Sequence, residues 1–127
     1  MIFLGDIIFF KIKEEKLCGM YIGNNEIMYV DKKRYLRIVD IKKIYIEKIR
    51  RADLTLESFS YLYEKKLLPL LKWKFLRKIF PKKLDFNDVV FVSYLLNEVH
   101  ILIKLDYKKV TYEDLLFSVK LKDIKEG

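Results

Sequence analysis

The sequence predicts an α+β domain in which an antiparallel sheet packs against a core helix. Three observations carry this: residues 6–31 are dense in Ile, Phe, Tyr and Met and are interrupted by Gly23-Asn24-Asn25; residues 87–99 are apolar almost all round over a helical length; and the 127 residues contain no stretch that resembles a linker. A chain of this size buries about two thirds of its unfolded surface in one core. A single domain over residues 1–127, carrying a basic helical insertion at about 55–83, is therefore expected.

In order, Asp6–Lys11, Lys16–Ile22 and Glu26–Asp31 read as strands, the last two joined by the Gly-Asn-Asn turn. Tyr35–Ile41 alternates with mixed character on both faces, which suggests a central strand. Ile44–Arg50 has strand composition without a decisive period; a strand is preferred over a helical turn. Thr55 stands where an N-cap belongs, ahead of Leu56, Phe59, Leu62, Tyr63 and Leu67 at helical spacing. Pro69 is expected to interrupt that helix, and Leu70–Phe80 to form a second, basic helix or an irregular arm that ends near Pro81.

Asn87 or Asp88 caps the core helix, which carries Val89, Val90, Val92, Tyr94, Leu95, Leu96 and Val99. Ile101–Leu105 reads as a short strand, and Thr111 with Asp114 as a capping box opening a last helix through Phe117. The lysine-rich tail after Lys120 should fray.

Hydrophobic residues make up 52% and charged residues 35%, which excludes disordered, collagen-like and membrane-spanning classes. The apolar start, residues 1–10, has no basic leader and is cut by Asp6, so a buried strand is expected instead of a signal peptide or a transmembrane segment. The lone Cys18 has no internal disulfide partner, which fits a reducing compartment and equally any place where no crosslink is required; an intracellular reducing compartment or a virion is preferred. One Cys and one His make no structural zinc site, and four scattered glycines make neither a P-loop nor a dinucleotide fingerprint, so no metal and no cofactor are expected.

The segments Gly5-Asp6-Ile7-Ile8-Phe9 and Gly19-Met20-Tyr21-Ile22-Gly23-Asn24, followed much later by Asp85-Phe86 and Phe91-Val92-Ser93-Tyr94-Leu95, resemble the motifs of the circularly permuted papain-like group in the NlpC superfamily. The resemblance implies a permuted papain-like (NlpC-type) architecture: a strand bearing the base His, a further polar residue on the next strand, and a later helix whose first turn bears the nucleophilic Cys. On that alignment Leu17 falls at the His, Tyr29 at the third residue and Val92 at the Cys. Neither Val nor Leu attacks a carbonyl or accepts a proton, so a catalytically degenerate relative is expected, with Leu17 and Val92 plugging the former site.

The alternative is a thiol or serine acyl hydrolase using Cys18 or Ser93. Cys18 should point away from Leu17 into packing, since neighbouring strand side chains alternate. Ser93 should hydrogen-bond the preceding helical turn. His100 lies about 12 Å along the helix from Val92, at about 1.5 Å per residue, and is expected to be structural or solvent-facing.

The charge is local. Of a formal +8, residues 63–83 supply eight basic side chains against Glu64 alone, with Trp73, Phe75 and Phe80 interleaved. Lys72, Trp73, Lys74, Arg77, Lys78, Lys82 and Lys83 are the expected partner-binding residues. A protein partner or larger assembly, such as the particle of a large DNA virus, is preferred; an anionic membrane surface follows, and nucleic acid comes third because no nucleic-acid fold accompanies the patch.

Overall fold

A computed structural model describes residues 1–72 and 83–125. It contains an antiparallel sheet of β1 (Ile7–Ile12), β2 (Glu15–Gly23), β3 (Glu26–Val30), β4 (Leu36–Asp40), β5 (Tyr45–Ala52) and β6 (Leu121–Ile124), in the spatial order β4-β3-β2-β1-β5-β6. The helices are α1 (Leu56–Tyr61), α2 (Leu68–Leu71), α3 (Asp88–Glu98) and α4 (Tyr112–Leu116).

β1 is apolar on both faces because it is central and covered twice. Ile7 and Phe9 join Cys18, Met20 and Met28 in a core shared with α3, while Ile8 and Phe10 join Leu17, Ile27, Tyr29 and Ile49 in a second core on the opposite face. That second cluster draws on no α-helix among the described residues; its rim includes Ile2, Ile12, Tyr21, Val39, Ile44 and Ile124. Register shifts between Phe9 and Phe10 and between Tyr21 and Gly23 mark where the sheet bends. Each fully buried Phe contributes about 2–3 kcal/mol of transfer free energy.

β2 and β3 are joined by the two-residue turn Asn24-Asn25, both with positive φ (54° and 59°), the conformation whose twist matches flanking antiparallel strands and which Asn tolerates.

Four sequence expectations give way. β4 is an edge strand, not a central one: among the described residues only an isolated bridge from Tyr35 to Lys83 lies beyond it. Its mixed faces are what half-exposed edges carry, with Arg37 held by Asp31 at 2.8 Å. Pro69 does not interrupt the helix. A π-helical stretch, Leu62–Leu67, passes directly into α2, and Pro69 falls in the opening turn of α2, where its missing N–H costs little.

Ile101–Leu105 is irregular rather than a strand. The tail does not fray through Ile124, because β6 pairs with β5 and Leu121 is buried. The Arg50 guanidinium, 7% exposed, holds that strand by donating to Asp123 Oδ1 at 2.7 Å, to the Leu121 carbonyl at 2.9 Å and to the Ser118 carbonyl.

The capped helices form as expected. Thr55 Oγ1 accepts from the Ser58 N–H, Asn87 Oδ1 from the Val90 N–H, and Thr111 with Asp114 closes a capping box. α3 ends at His100, which has φ of 64°; the Ile101 N–H reaches the Leu96 carbonyl and the His100 N–H the Asn97 carbonyl, the two bonds of a Schellman motif. His100 is exposed and pays the left-handed backbone cost that glycine avoids. His100→Gly is expected to raise stability by about 1 kcal/mol in urea unfolding.

Candidate functional site

The structure does not bring Leu17 and Val92 together. Leu17 belongs to the core on one face of the sheet and Val92 to the core on the other. Tyr29 is on the Leu17 side, its ring edge-on to Phe10 at 5.2 Å, so it fills that core rather than a cleft beside α3. Val92 is the fifth residue of α3 and lies beyond its first turn.

The residues that do meet where β2 crosses the start of α3 are Cys18 and Asp88. Asp88 Oδ2 accepts the Cys18 N–H at 2.8 Å, joining positions 70 apart in sequence. Strand alternation turns Cys18 towards α3 and fixes its side chain in the helix-side core, and Asp88 is the first residue of α3. Burial, followed by the charge of Asp88 and a hydrogen bond to its carboxylate, pushes the Cys18 thiol well above its usual pKa, with Lys32 opposing. Burial also raises Asp88, against the Cys18 N–H and the Lys32 charge, which favour its ionised form. Tyr112, edge-on to Phe9 at 5.3 Å, is pushed up to about 12, chiefly by burial, with Glu47, Cys18 and Asp88 adding to it.

The chemistry of this cluster is that of a buried thiol, its pKa raised, beside a carboxylate that accepts the main-chain N–H of the same cysteine. The thiolate needed for attack is disfavoured, and the group beside the sulfur is an acid in place of an imidazole.

The raised Asp88 pKa has a testable sign. Protonation of Asp88 favours the folded chain, so its contribution is complete below the ordinary carboxylate pKa and is lost as pH rises through the raised folded value. Asp31, Asp114 and Asp123 run the other way: their folded pKa values are lowered, Asp114 to about 2, and their contributions are lost as pH falls. Asp88→Asn removes only the first behaviour. Urea unfolding from about pH 3 to about pH 7 should show a stability difference, wild type minus variant, that declines as pH rises. A flat difference would contradict the assignment.

Ser93 is 2% exposed, and its Oγ has no hydrogen-bond partner among the described residues, so the expected bond to the preceding turn is not made. His100, at the far end of α3, caps the helix as described above. Of the expected partner-binding residues, Lys72 and Lys83 are exposed, and Lys83 bridges to Tyr35. Trp73, Lys74, Arg77, Lys78 and Lys82 lie outside the described residues.

No protein-family model, no curated protein and no solved structure matches the chain. The fold thus stands as α+β, an antiparallel sheet with helices, on its own geometry. Among the described residues no helix is long and apolar enough to cross a membrane, and no three Cys, His, Asp or Glu side chains are grouped for a metal.

Sequence reasoning missed Asp88 as a site residue, treating it only as a possible cap. The available signal was its place in the first turn of the core helix, where the papain-like resemblance puts the nucleophile.

Proposed function

We propose that the chain is a catalytically inactive relative of papain-like hydrolases that acts as a structural or protein-interaction component of a larger assembly, such as a large DNA virus particle. The observation that carries this reading is the state of its one thiol. Cys18 is fully buried with its thiol pKa raised, and its main-chain N–H donates to the Asp88 carboxylate at the contact between β2 and the first turn of α3. The hydrolase alternative finds no support in Ser93, whose Oγ is buried with no hydrogen-bond partner among the described residues. An arrangement of sheet, core helix and a neutralised contact between them suits a scaffold that presents surfaces.

Iodoacetamide labelling provides the test. In the native protein Cys18 should react about a hundredfold or more slowly than in urea, at a rate set by opening of the β2–α3 contact. Incubation with amide and ester substrates should give no turnover. Hydrolysis that disappears in Cys18→Ala or Ser93→Ala would replace the scaffold reading with the enzyme one.

A further inference from the structure

We propose that the cavity between the β3–β4 turn, the start of α3 and the short helical turn Tyr107–Lys109 binds a nucleoside monophosphate, with the phosphate on Arg34 and Lys108 and the base against Phe86 and Tyr107. The cavity measures about 430 Å³, within the range of about 300–1,000 Å³ in which pockets take small organic ligands.

Arg34 is placed in advance of any ligand. Its backbone is left-handed, with φ of 70°, a strained choice for a residue other than glycine, and it is fixed from three sides. The Arg34 N–H donates to the Asp31 carbonyl at 2.9 Å, the Arg34 carbonyl accepts the Leu84 N–H at 2.8 Å, and Arg34 Nη1 donates to the Asp85 carbonyl at 2.8 Å. That last acceptor is neutral, and the nearby Asp31 carboxylate is engaged by Arg37 and by the Lys33 and Tyr35 amides. The guanidinium is thus oriented without being neutralised, and its remaining donors form a fork that suits phosphate oxygens.

Lys108 lines the same cavity; its main-chain N–H is tied to Asp106 Oδ1 at 3.0 Å, and its side chain is exposed. Neither Arg34 nor Lys108 has an ion-pair partner among the described residues. The start of α3 is poorly suited to hold the anion itself, because Asn87 takes the Val90 and Phe91 amides and Asp88 opens the helix with a carboxylate. The attraction therefore belongs to the two side chains.

The aromatic wall is equally ready. Phe86 stacks on Phe91 with ring centroids 6.2 Å apart and lies 5.7 Å from Tyr94, which is in turn 5.7 Å from Tyr107. Both rings that line the cavity are held by neighbours, so a flat ligand ring finds its apolar wall already ordered. Two polar groups on the lining favour a nucleobase over a plain phenyl ring. Asn87 Oδ1 accepts the Val90 N–H, which leaves its amide N–H groups to donate, and the exposed Asp85 carboxylate accepts. A donor and an acceptor together match the mixed hydrogen-bonding edge of a base. With Asp85 counted, two cations still face one acid, and the cavity favours an anion.

Ligand binding here goes beyond the scaffold role and stands or falls without it. AMP, GMP, CMP and UMP are titrated separately into the full chain by isothermal calorimetry. At least one should bind with a Kd below about 1 mM, more weakly as salt is raised. Its nucleoside, inorganic phosphate and phenyl phosphate should each bind about tenfold or more weakly. Arg34→Gln and Lys108→Gln, each checked for folding by urea unfolding, should weaken the nucleotide about tenfold, and Lys42→Gln, a cation outside the cavity, should leave it unchanged.

Failure of all four nucleotides to bind, or equal binding of the nucleoside, of inorganic phosphate or of phenyl phosphate, would overturn the proposal without recourse to any variant. Undiminished binding to folded Arg34→Gln and Lys108→Gln, or an equal loss in Lys42→Gln, would overturn it likewise.

Discussion

Gly19→Ala should lower the stability of the fold by about 3 kcal/mol, the upper end of what overpacking costs. A Cβ at this position would lie 2.7 Å from the Met28 carbonyl oxygen, 2.7 Å from Ile27 Cγ2 and 2.9 Å from Tyr29 Cβ. Two of those atoms leave no soft way out: a main-chain oxygen moves only with its strand, and a Cβ is fixed to its own. The β2–β3 pairing must therefore open, beside the tight Asn24-Asn25 turn that ties the same two strands. Urea unfolding at constant m-value reports the loss, and a chain of this length should melt about 10 °C lower. A drop under 1 kcal/mol would mean that the two strands are not held as closely as described.

Arg51→Met is expected to cost a similar amount, about 3 kcal/mol, for an electrostatic reason. The Asp6 carboxylate is 1% exposed and accepts two Arg51 bonds at 2.7 Å, from Nε and Nη2, together with the Phe3 N–H at 2.8 Å. The Arg51 guanidinium also covers the Phe3 ring at 4.0 Å. Removing the cation leaves a buried carboxylate with only one amide donor, and the whole cost of keeping it from water falls on the folded state. Asp6→Asn combined with Arg51→Met should lose clearly less than the sum of the single changes, because the second change removes the stranded charge. Strict additivity would show that the pair is not coupled.

The opening Gly5-Asp6 motif, read from the sequence as a resemblance, thus has a structural job of its own: it clamps the N-terminal segment to β5. Much of the sheet was legible for equally local reasons. β1 is apolar on both faces because it lies between β2 and β5, and Asn24-Asn25 dictates the turn that follows β2. The caps at Thr55, Asn87 and Thr111 were visible because a single side-chain oxygen and a nearby amide define each of them.

The rest depended on partners far away in the chain. Leu-Lys-Asp-Ile at 121–124 offers one buried residue and reads as tail; what makes it a strand is Arg50, about seventy positions earlier. The mixed faces of Tyr35–Ile41 do not distinguish a central strand from an edge, since that depends on what lies beyond it. At the candidate site the alignment could not tell which face a residue takes, since neighbouring strand residues point to opposite sides of the sheet. The alignment pointed to Leu17, and the side chain that faces α3 is Cys18.

The late position of β6 in the chain shapes how the protein must assemble. Its four residues complete a sheet whose first five strands are finished by Ala52, so β5 emerges from the ribosome long before the strand that covers it. Through that interval its outer row of amides is open to any neighbouring nascent chain, and productive folding waits on a long-range closure that Arg50 secures only when Leu121 and Asp123 arrive. Slow translation across residues 53–120 lengthens that exposure, and faster delivery of the final segment shortens it.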